Sequence, residues 1–475
     1  MWEKESAEVK AMALEKGNEA SLDKEYREAK DYLTNLTKFG MNFGLGRIEE
    51  LLKRLGNPEE RLRVVHVGGT NGKGSTTMMI AEILEDAGYR VGVFTSPHLH
   101  DYRERITING EMIPKKDVIR LINTLKPHLE ELVQSGIEHP TEFEVSTAMA
   151  LQYFAEEKVD FAIIEVGLGG AIDSTNVVKP LIAVITNVGM DHMDYLGDTI
   201  EEIARVKAGI IKSKAITVTA ANKPEVLEVI REKAAQVNSP LWVVGEDVQW
   251  ESRWCGELEQ EFDLIGLRGV YKKLRLRLVG EHQIINAATA VTVVELLKYE
   301  YGVNIERRNI YEGLRKTVWP GRLELLALNP KVLIDGAHNV DGANSLAKAL
   351  NLFQRKRLVL CIGMLGDKER EKVVDILVPF ADEVIVTKPN SPRAGNWEYL
   401  QELIREKGKP VQAIEDPSQA VAEAFRRLDK DDMLCVTGSL YMIAEARQAL
   451  LDILRKDKDE TGKIYSKLAK NLTQT

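Results

Sequence analysis

Val67-Gly68-Gly69-Thr70-Asn71-Gly72-Lys73-Gly74-Ser75-Thr76 is the stretch on which the reading of this chain turns. It joins the apolar run RVVHV (63–67) to a segment, 76–87, in which Ile80, Ile83, Leu84 and Ala87 share one helical face and Gly88 can end the helix. A glycine-rich stretch between a strand and a helix is the setting of a phosphate-binding loop. Glycines let backbone N–H groups turn toward a polyphosphate, Lys73 adds a mobile positive charge, and the helix N-terminus completes the anion site. The pattern departs from the usual one twice: Val67 replaces its first glycine, and Gly74 stands where Ser or Thr normally follows the lysine. A glycine-rich turn with a solvated lysine is the alternative, and the strand–loop–helix context weighs against it.

Outward from this loop, short apolar strands alternate with amphipathic helices. Strands are expected at 63–67, 91–95, 161–166, 181–186, 215–220 and 240–245. Near-continuous apolar strands separated by helices indicate a parallel sheet covered on both faces, hence an α/β fold. Residues 250–279, with KKLRLRLVG, read as a small antiparallel insert, and helices follow at 283–300 and 305–316. At Trp319-Pro320-Gly321-Arg322 the chain turns into a second α/β series, with strands at 331–335, 357–363, 383–388, 410–414 and 432–438. The expected organisation is an N-terminal extension (1–24), a large domain (25–318), a smaller C-terminal domain (319–455) and a polar tail (456–475).

The 475 residues, at about 150 per domain, would allow about three domains, which the motifs reduce to two. Lys+Arg 64 against Asp+Glu 73 gives 64 − 73 = −9, a balance that disfavours nucleic acid or an anionic membrane as the main partner. No apolar run approaches the roughly 18 residues of a membrane span. The start MWEKESAEVKAM lacks a signal core, so a cytoplasmic protein is expected. Cys255, Cys361 and Cys435 are odd in number and widely spaced, which fits neither a disulfide framework nor a zinc site.

Three further motifs follow strand ends, where open parallel sheets bind ligands: Thr95-Ser96-Pro97-His98, Glu165-Val166-Gly167-Leu168-Gly169-Gly170, and Asn187 to Asp194 (NVGMDHMD). Hydroxyl, carboxylate and imidazole groups there suit one or two Mg²⁺ ions bridging ATP phosphates. The bland alternatives are a solvated turn for Glu165 and a capping or core role for His192. A hydrolase metal site would need a second histidine that is missing nearby. From Thr199, which with Glu202 forms a capping box, Ile200, Ile203, Ala204, Ile210 and Ile211 make an apolar stripe that contains Lys207. A buried lysine has a lowered pKa, and a neutral amine can add CO₂ to give a carbamate, an anionic metal ligand. Snorkelling, or pairing with Glu201 or Asp191, stays open. Asn286 near a helix start, Arg322 at the Pro-Gly turn, and Asp335-Gly336-Ala337-His338-Asn339 after a strand complete the candidates, each with a capping, surface or turn alternative.

In order along the chain, GTNGKGS (69–75), TSPH (95–98), EVGLGG (165–170), DHMDYLG (191–197), KAGI (207–210), HQxxNAA (282–288), PGR (320–322) and DGAHN (335–339) resemble the folylpolyglutamate synthase and dihydrofolate synthase family of the Mur-ligase superfamily. The resemblance covers roughly Glu25 to Leu454. It implies a Mur-ligase-like P-loop domain with a mostly parallel sheet plus a smaller Rossmann-like α/β C-terminal domain. It also implies ATP at Thr70, Asn71, Gly72, Lys73, Gly74, Ser75, Asn286, Arg322, Asp335 and His338. Ser96, Glu165, His192 and Lys207 would serve Mg²⁺, with Lys207 the carbamylated lysine and Lys73, Glu165, His192 and Lys207 the catalytic set. Phe143 and Asp173 would lie on the folate or pterin side, Arg393 and Ser439 on the glutamate side. The family commonly reads GGRxDATN where this chain has Gly169-Gly170-Ala171-Ile172-Asp173-Ser174-Thr175-Asn176, so Ala171 replaces an arginine beside the pterin pocket.

The implied reaction is ATP-dependent amide formation: an acid–amino-acid ligase joins L-glutamate to the carboxylate of dihydropteroate or a reduced folate through an acyl phosphate. The expected partners are small molecules, with no nucleic acid or membrane, and the expected state is a monomer. A Mur-type ligase acting on another carboxylate is the rival within enzymes; GKGS and the HQxxNAA form argue against it. A nucleotide-binding switch or scaffold is the rival outside them, and it has no evident need of a carbamate.

Overall fold

The computed structural model describes residues 20–40 and 42–461, with side chains as far as Lys456. Eight strands form the first sheet: β1 (Val64–Gly68), β2 (Val91–Phe94), β3 (Ile106–Ile108), β4 (Glu111–Met112), β5 (Phe161–Glu165), β6 (Ile182–Ile185), β7 (Ile216–Thr219) and β8 (Leu241–Val243), in the order β4-β3-β2-β5-β1-β6-β7-β8. The six strands expected from the apolar runs are its parallel members. β1 lies between β5 and β6 and is buried along its whole length, as a central strand in a sheet covered on both faces must be. Val65 and Val67 pack under the helices Lys73–Asp86 and Glu281–Tyr301, while Val64 faces a second core that includes the helix Glu142–Glu156. Each such buried branched side chain contributes about 1.5–3 kcal/mol.

The β3–β4 hairpin is an addition to the expected pattern, antiparallel at the sheet edge. Its turn is Asn109-Gly110, both at positive φ, the dipeptide that favours a tight hairpin. Strands this short leave almost no alternation to read.

The expected antiparallel insert is a three-stranded sheet of β9 (Gln249–Cys255), β10 (Gln260–Ile265) and β11 (Val270–Leu276). A six-stranded sheet follows: β12 (Glu324–Leu328), β13 (Lys331–Ile334), β14 (Leu358–Ile362), β15 (Glu383–Val386), β16 (Val411–Ala413) and β17 (Met433–Thr437), in the order β12-β13-β17-β14-β15-β16. All neighbours are parallel except β12, which forms a hairpin with β13 and was not among the expected strands.

At the N-terminal end a helix occupies 20–35, with Tyr26, Ala29 and Leu33 buried and Asp23 paired with Lys115 at 2.6 Å. Residues 20–24, expected as part of an extension, therefore belong to a packed helix. Residues 1–19 lie outside the described residues. The segment expected as a polar tail begins as the end of the helix Leu440–Thr461, and 462–475 lie outside the description. Among the described residues no helix is long and apolar enough to cross a membrane.

Candidate active site

The loops after β1, β2, β5 and β6 gather at one end of the first sheet, and the loop after β1 is shaped by its glycines. Gly69 has φ +140, and a Cβ there would sit 2.0 Å from Thr186 Oγ1; at Gly72 (φ +83) it would sit 2.4 Å from Asn286 Oδ1. Only glycine permits both the backbone and the close approach. Asn286 thus lies directly against the loop, its amide donating to Gln283 at 3.0 Å. The loop is held from β6's side: Thr186 donates to the Asn71 carbonyl (2.7 Å), Asn187 Oδ1 accepts the Asn71 amide (2.8 Å), and Thr70 Oγ1 accepts the Gly189 amide (3.0 Å).

Two lysine amines converge on one carbonyl of this loop. Lys73 Nζ donates to Gly69 O at 3.2 Å and to Thr70 O at 3.1 Å; Lys207 Nζ donates to Gly69 O at 3.0 Å. Neither forms an ion pair among the described residues. Lys207 is 4% exposed within the stripe of Ile203, Ala204, Ala208 and Ile210, on a helix opened by the expected Thr199–Glu202 capping box. Burial, and then the charge of Lys73, push its amine down to about 7. It neither snorkels to solvent nor pairs with Glu201 or Asp191.

Glu165, at the end of β5, is buried and pushed up to about 7, chiefly by desolvation. Its one hydrogen bond is a long one, from the Ser96 amide at 3.4 Å. A buried carboxylate this short of partners, beside a serine hydroxyl, suits a hard cation that takes its other ligands from phosphate and water. Among the described residues no three His, Cys, Asp or Glu side chains are grouped to hold a metal by themselves. Burial holds His192 down to about 4, a neutral imidazole.

The second sheet presents its own strand ends to the same place. Asn339, after β13, exchanges amide hydrogen bonds with Asn71 (3.1 and 3.3 Å) and donates to Asp191 at 3.0 Å. Lys368, after β14, pairs with Asp191 at 2.6 Å, and His338 Nε2 lies 3.6 Å from the same carboxylate. These contacts hold Asp191 well below the usual carboxylate range despite its burial. Between the two sheets runs a cavity of about 430 Å³, lined by Gly74, Ser96, His98, Glu165, Trp319 and Arg322.

Other expected site residues take more local positions. Asp335 is buried and accepts the amides of Leu323 (2.9 Å) and Ala337 (2.9 Å), so it shapes the passage between the sheets. Asp173 is likewise buried, with one oxygen on the Leu168 amide (2.7 Å) and the other on Thr175. Phe143 packs over Gly167, where a Cβ would meet its ring at 2.4 Å. Arg393 is ion-paired with Asp367, and its charge helps to depress His192. Ser439 is buried and accepts the Tyr441 amide at 3.3 Å.

Comparison with known proteins agrees with this arrangement. Residues 67–294 match the Mur ligase middle domain and residues 321–440 the Mur ligase glutamate ligase domain. A dihydrofolate synthase/folylpolyglutamate synthase of Bacillus subtilis is 40% identical over 427 residues, spanning 90% of this chain and 99% of that protein. This chain belongs to the dihydrofolate synthase/folylpolyglutamate synthase family. The folylpolyglutamate synthase of Lacticaseibacillus casei is 35% identical, over 90% of this chain and 99% of its own. A solved folylpolyglutamate synthase of Mycobacterium tuberculosis, complexed with ADP, superposes with a TM-score of 0.83 at 32% identity, covering 90% of this chain and 98% of that one.

Sequence reasoning named Asp191 only within a motif and as an alternative partner of Lys207, and gave Asn339 and Lys368 no role of their own at the site. Asn339 stood inside a quoted motif, and Lys368 follows a strand end of the second sheet, so the strand-end rule pointed to both. Trp319, whose indole nitrogen would lie 2.8 Å from a Cβ at Gly74, was quoted only as part of a turn.

Proposed function

We propose that this chain joins L-glutamate to the carboxylate of dihydropteroate, a reduced folate, or both, with ATP hydrolysed to ADP and phosphate. The observation that carries this reading is the convergence of Lys73 and Lys207 on the Gly69 carbonyl with no carboxylate to neutralise them. The charged Lys73 on a phosphate loop favours a polyanion, and the easily deprotonated Lys207 amine with the under-partnered Glu165 favours chemistry on that polyanion over mere holding.

In this reading the triphosphate lies along residues 69–75, and Lys73 leaves the Gly69 and Thr70 carbonyls for phosphate oxygens. An oxygen of the acceptor carboxylate forms a bond to the γ-phosphorus as the bond to the β–γ bridging oxygen breaks, giving an acyl phosphate and ADP. Lys73 spreads the charge that moves during this transfer, which is mainly a matter of positioning and electrostatics. Ser96, Glu165 and His192 would hold Mg²⁺, which supplies further positive charge to the phosphate oxygens. Lys207, with an amine near 7, has the neutral fraction needed to form a carbamate with CO₂, releasing one proton. The α-amine of glutamate then attacks the acyl carbon; the C–N bond forms, the C–O bond to phosphate breaks, and the amine proton leaves with phosphate. Arg393 and Ser439 are proposed on the glutamate side and Phe143 on the pterin side, with Asp173 supporting the turn beside Phe143 through the Leu168 and Thr175 amides. Closure of the two domains around Asn71–Asn339 excludes the water that would hydrolyse the acyl phosphate.

An ADP-release assay with L-glutamate, comparing dihydropteroate with tetrahydrofolate, tests the proposal. Stimulation by either or both is expected. ADP release that neither stimulates would instead leave a nucleotide-binding switch.

A further inference from the structure

His66 is a buried titratable group that the chemistry above does not use. It lies on β1, at the centre of the first sheet, with no exposure to solvent. Its Nε2 is 2.8 Å from Thr175 Oγ1, and its Nδ1 has no partner among the described residues. Thr175 has one hydroxyl proton, and that proton points at the Asp173 carboxylate, which also accepts the Thr175 amide at 2.9 Å. The Thr175 oxygen is therefore the acceptor from His66, and the histidine is the neutral tautomer with its proton on Nε2.

The chain of bonds ends on a turn. Asp173 Oδ2 accepts the Leu168 amide at 2.7 Å, and the Asp173 amide donates back to Gly170 O at 3.1 Å. That turn is pressed on the backbone of the Lys207 helix. A Cβ at Gly170 would lie 2.7 Å from Val206 O, 2.8 Å from Lys207 O and 2.9 Å from Lys207 Cα. The Ala171 amide donates to Val206 O at 2.8 Å, and Asn176 Nδ2 donates to Ala171 O (3.2 Å) and Gly209 O (3.3 Å), stitching turn and helix end together. The same turn begins two residues after Glu165. One bracket therefore spans the two groups on which the proposed chemistry depends.

We infer that His66, Thr175 and Asp173 are positioning residues that seat the 167–171 turn against the Lys207 backbone and so set the place of the Lys207 amine. The inference rests on the ligase reading for its kinetic consequence, while the tautomer and the seating stand on contacts alone. In this relay His66 acts as a donor. A misplacement well under 1 Å at Lys207 is enough to lower turnover without weakening nucleotide or glutamate binding, since the groups proposed for those substrates lie on other loops.

Thr175→Val removes the hydroxyl at almost constant volume, and Thr175→Ser keeps it. Thr175→Val is expected to lower kcat about tenfold. KM for ATP, glutamate and the pteridine substrate should stay within about twofold, and Thr175→Ser should restore kcat. A lower Tm with unchanged kcat would reduce the bracket to a structural role and overturn the inference. So would a rise in KM for the pteridine substrate alone, which would make Asp173 a direct contact. A readout that needs no activity is the ¹⁵N spectrum of the histidine-labelled protein. A His66 ring with its proton on Nε2 in the wild type is expected, and a proton on Nδ1 overturns the relay even where the ligase assay succeeds. Absence of glutamate-stimulated ADP release in the wild type would count against the ligase reading and leave this spectrum to decide the relay.

Discussion

Lys207 and Lys368 are both buried lysines beside the phosphate loop, and the protein treats them in opposite ways. Lys207, on the first domain, has only a backbone carbonyl as partner and drops to about 7. Lys368, on the second, is set 2.6 Å from Asp191, which belongs to the first. An unpaired buried amine is inexpensive only if it can lose its proton, and a neutral amine is nucleophilic. A paired one stays charged and ties its domain to the other. In the proposed reaction the first arrangement serves chemistry, and the second assembles the site.

The largest expected effect breaks the first half of this contrast. Lys207→Ala should lower kcat by about 10³, with nucleotide binding retained, as read by ADP release and a nucleotide titration. Near-normal turnover would show that the unpaired amine has no chemical use. Next in size, Lys368→Met leaves Asp191 a buried charge without its cation and should destabilise the protein by about 3 kcal/mol in denaturant melts. The double variant Asp191→Leu with Lys368→Met should recover most of that loss; no recovery would mean the pair is not the source.

The third prediction concerns His66, which follows the Lys207 pattern because burial keeps it neutral, at about 3 against an ordinary 6.5. Its folded form binds fewer protons than its unfolded form below 6.5, so stability falls as pH drops through that value. Between pH 6.5 and 5 the wild type should lose about 2 kcal/mol from this group. His66→Met should remove that slope; an unchanged slope would place the acid sensitivity elsewhere. The smallest expected effect is at the surface. Arg393→Ala breaks an ion pair whose arginine is 40% exposed. It should change stability by no more than about 0.5 kcal/mol, while raising KM for glutamate if Arg393 lies on that side. A stability loss of the size expected at Lys368 would erase the distinction between paired charges inside and outside.

Much of the first domain was legible. Six parallel strands, the phosphate loop, the Thr199–Glu202 capping box and the buried setting of Lys207 all follow from local periodicity and residue type. The β3–β4 hairpin and the strand β12 were not legible, because two- to five-residue antiparallel segments carry too few alternations. Asp173 and Asp335, read as ligand groups, have their oxygens on backbone amides and, at Asp173, on the Thr175 hydroxyl. A carboxylate after a strand looks the same in sequence whether it faces a substrate or holds a turn.

The amino-acid sequence by itself determined the parallel strands of both sheets, where the phosphate loop lies, and that a lysine falls on an apolar helix face. These depend on residues within a few positions of one another, where periodicity and glycine placement speak directly. Only the tertiary structure decided which partner each buried charge would have. Lys368 and Asp191 are separated by 177 positions, as are Asn71 and Asn339 by 268, and nothing local selects one partner over another. Charge pairing in a low-dielectric interior is set by distance in space, and that distance exists only after two sheets have packed with their strand ends facing each other.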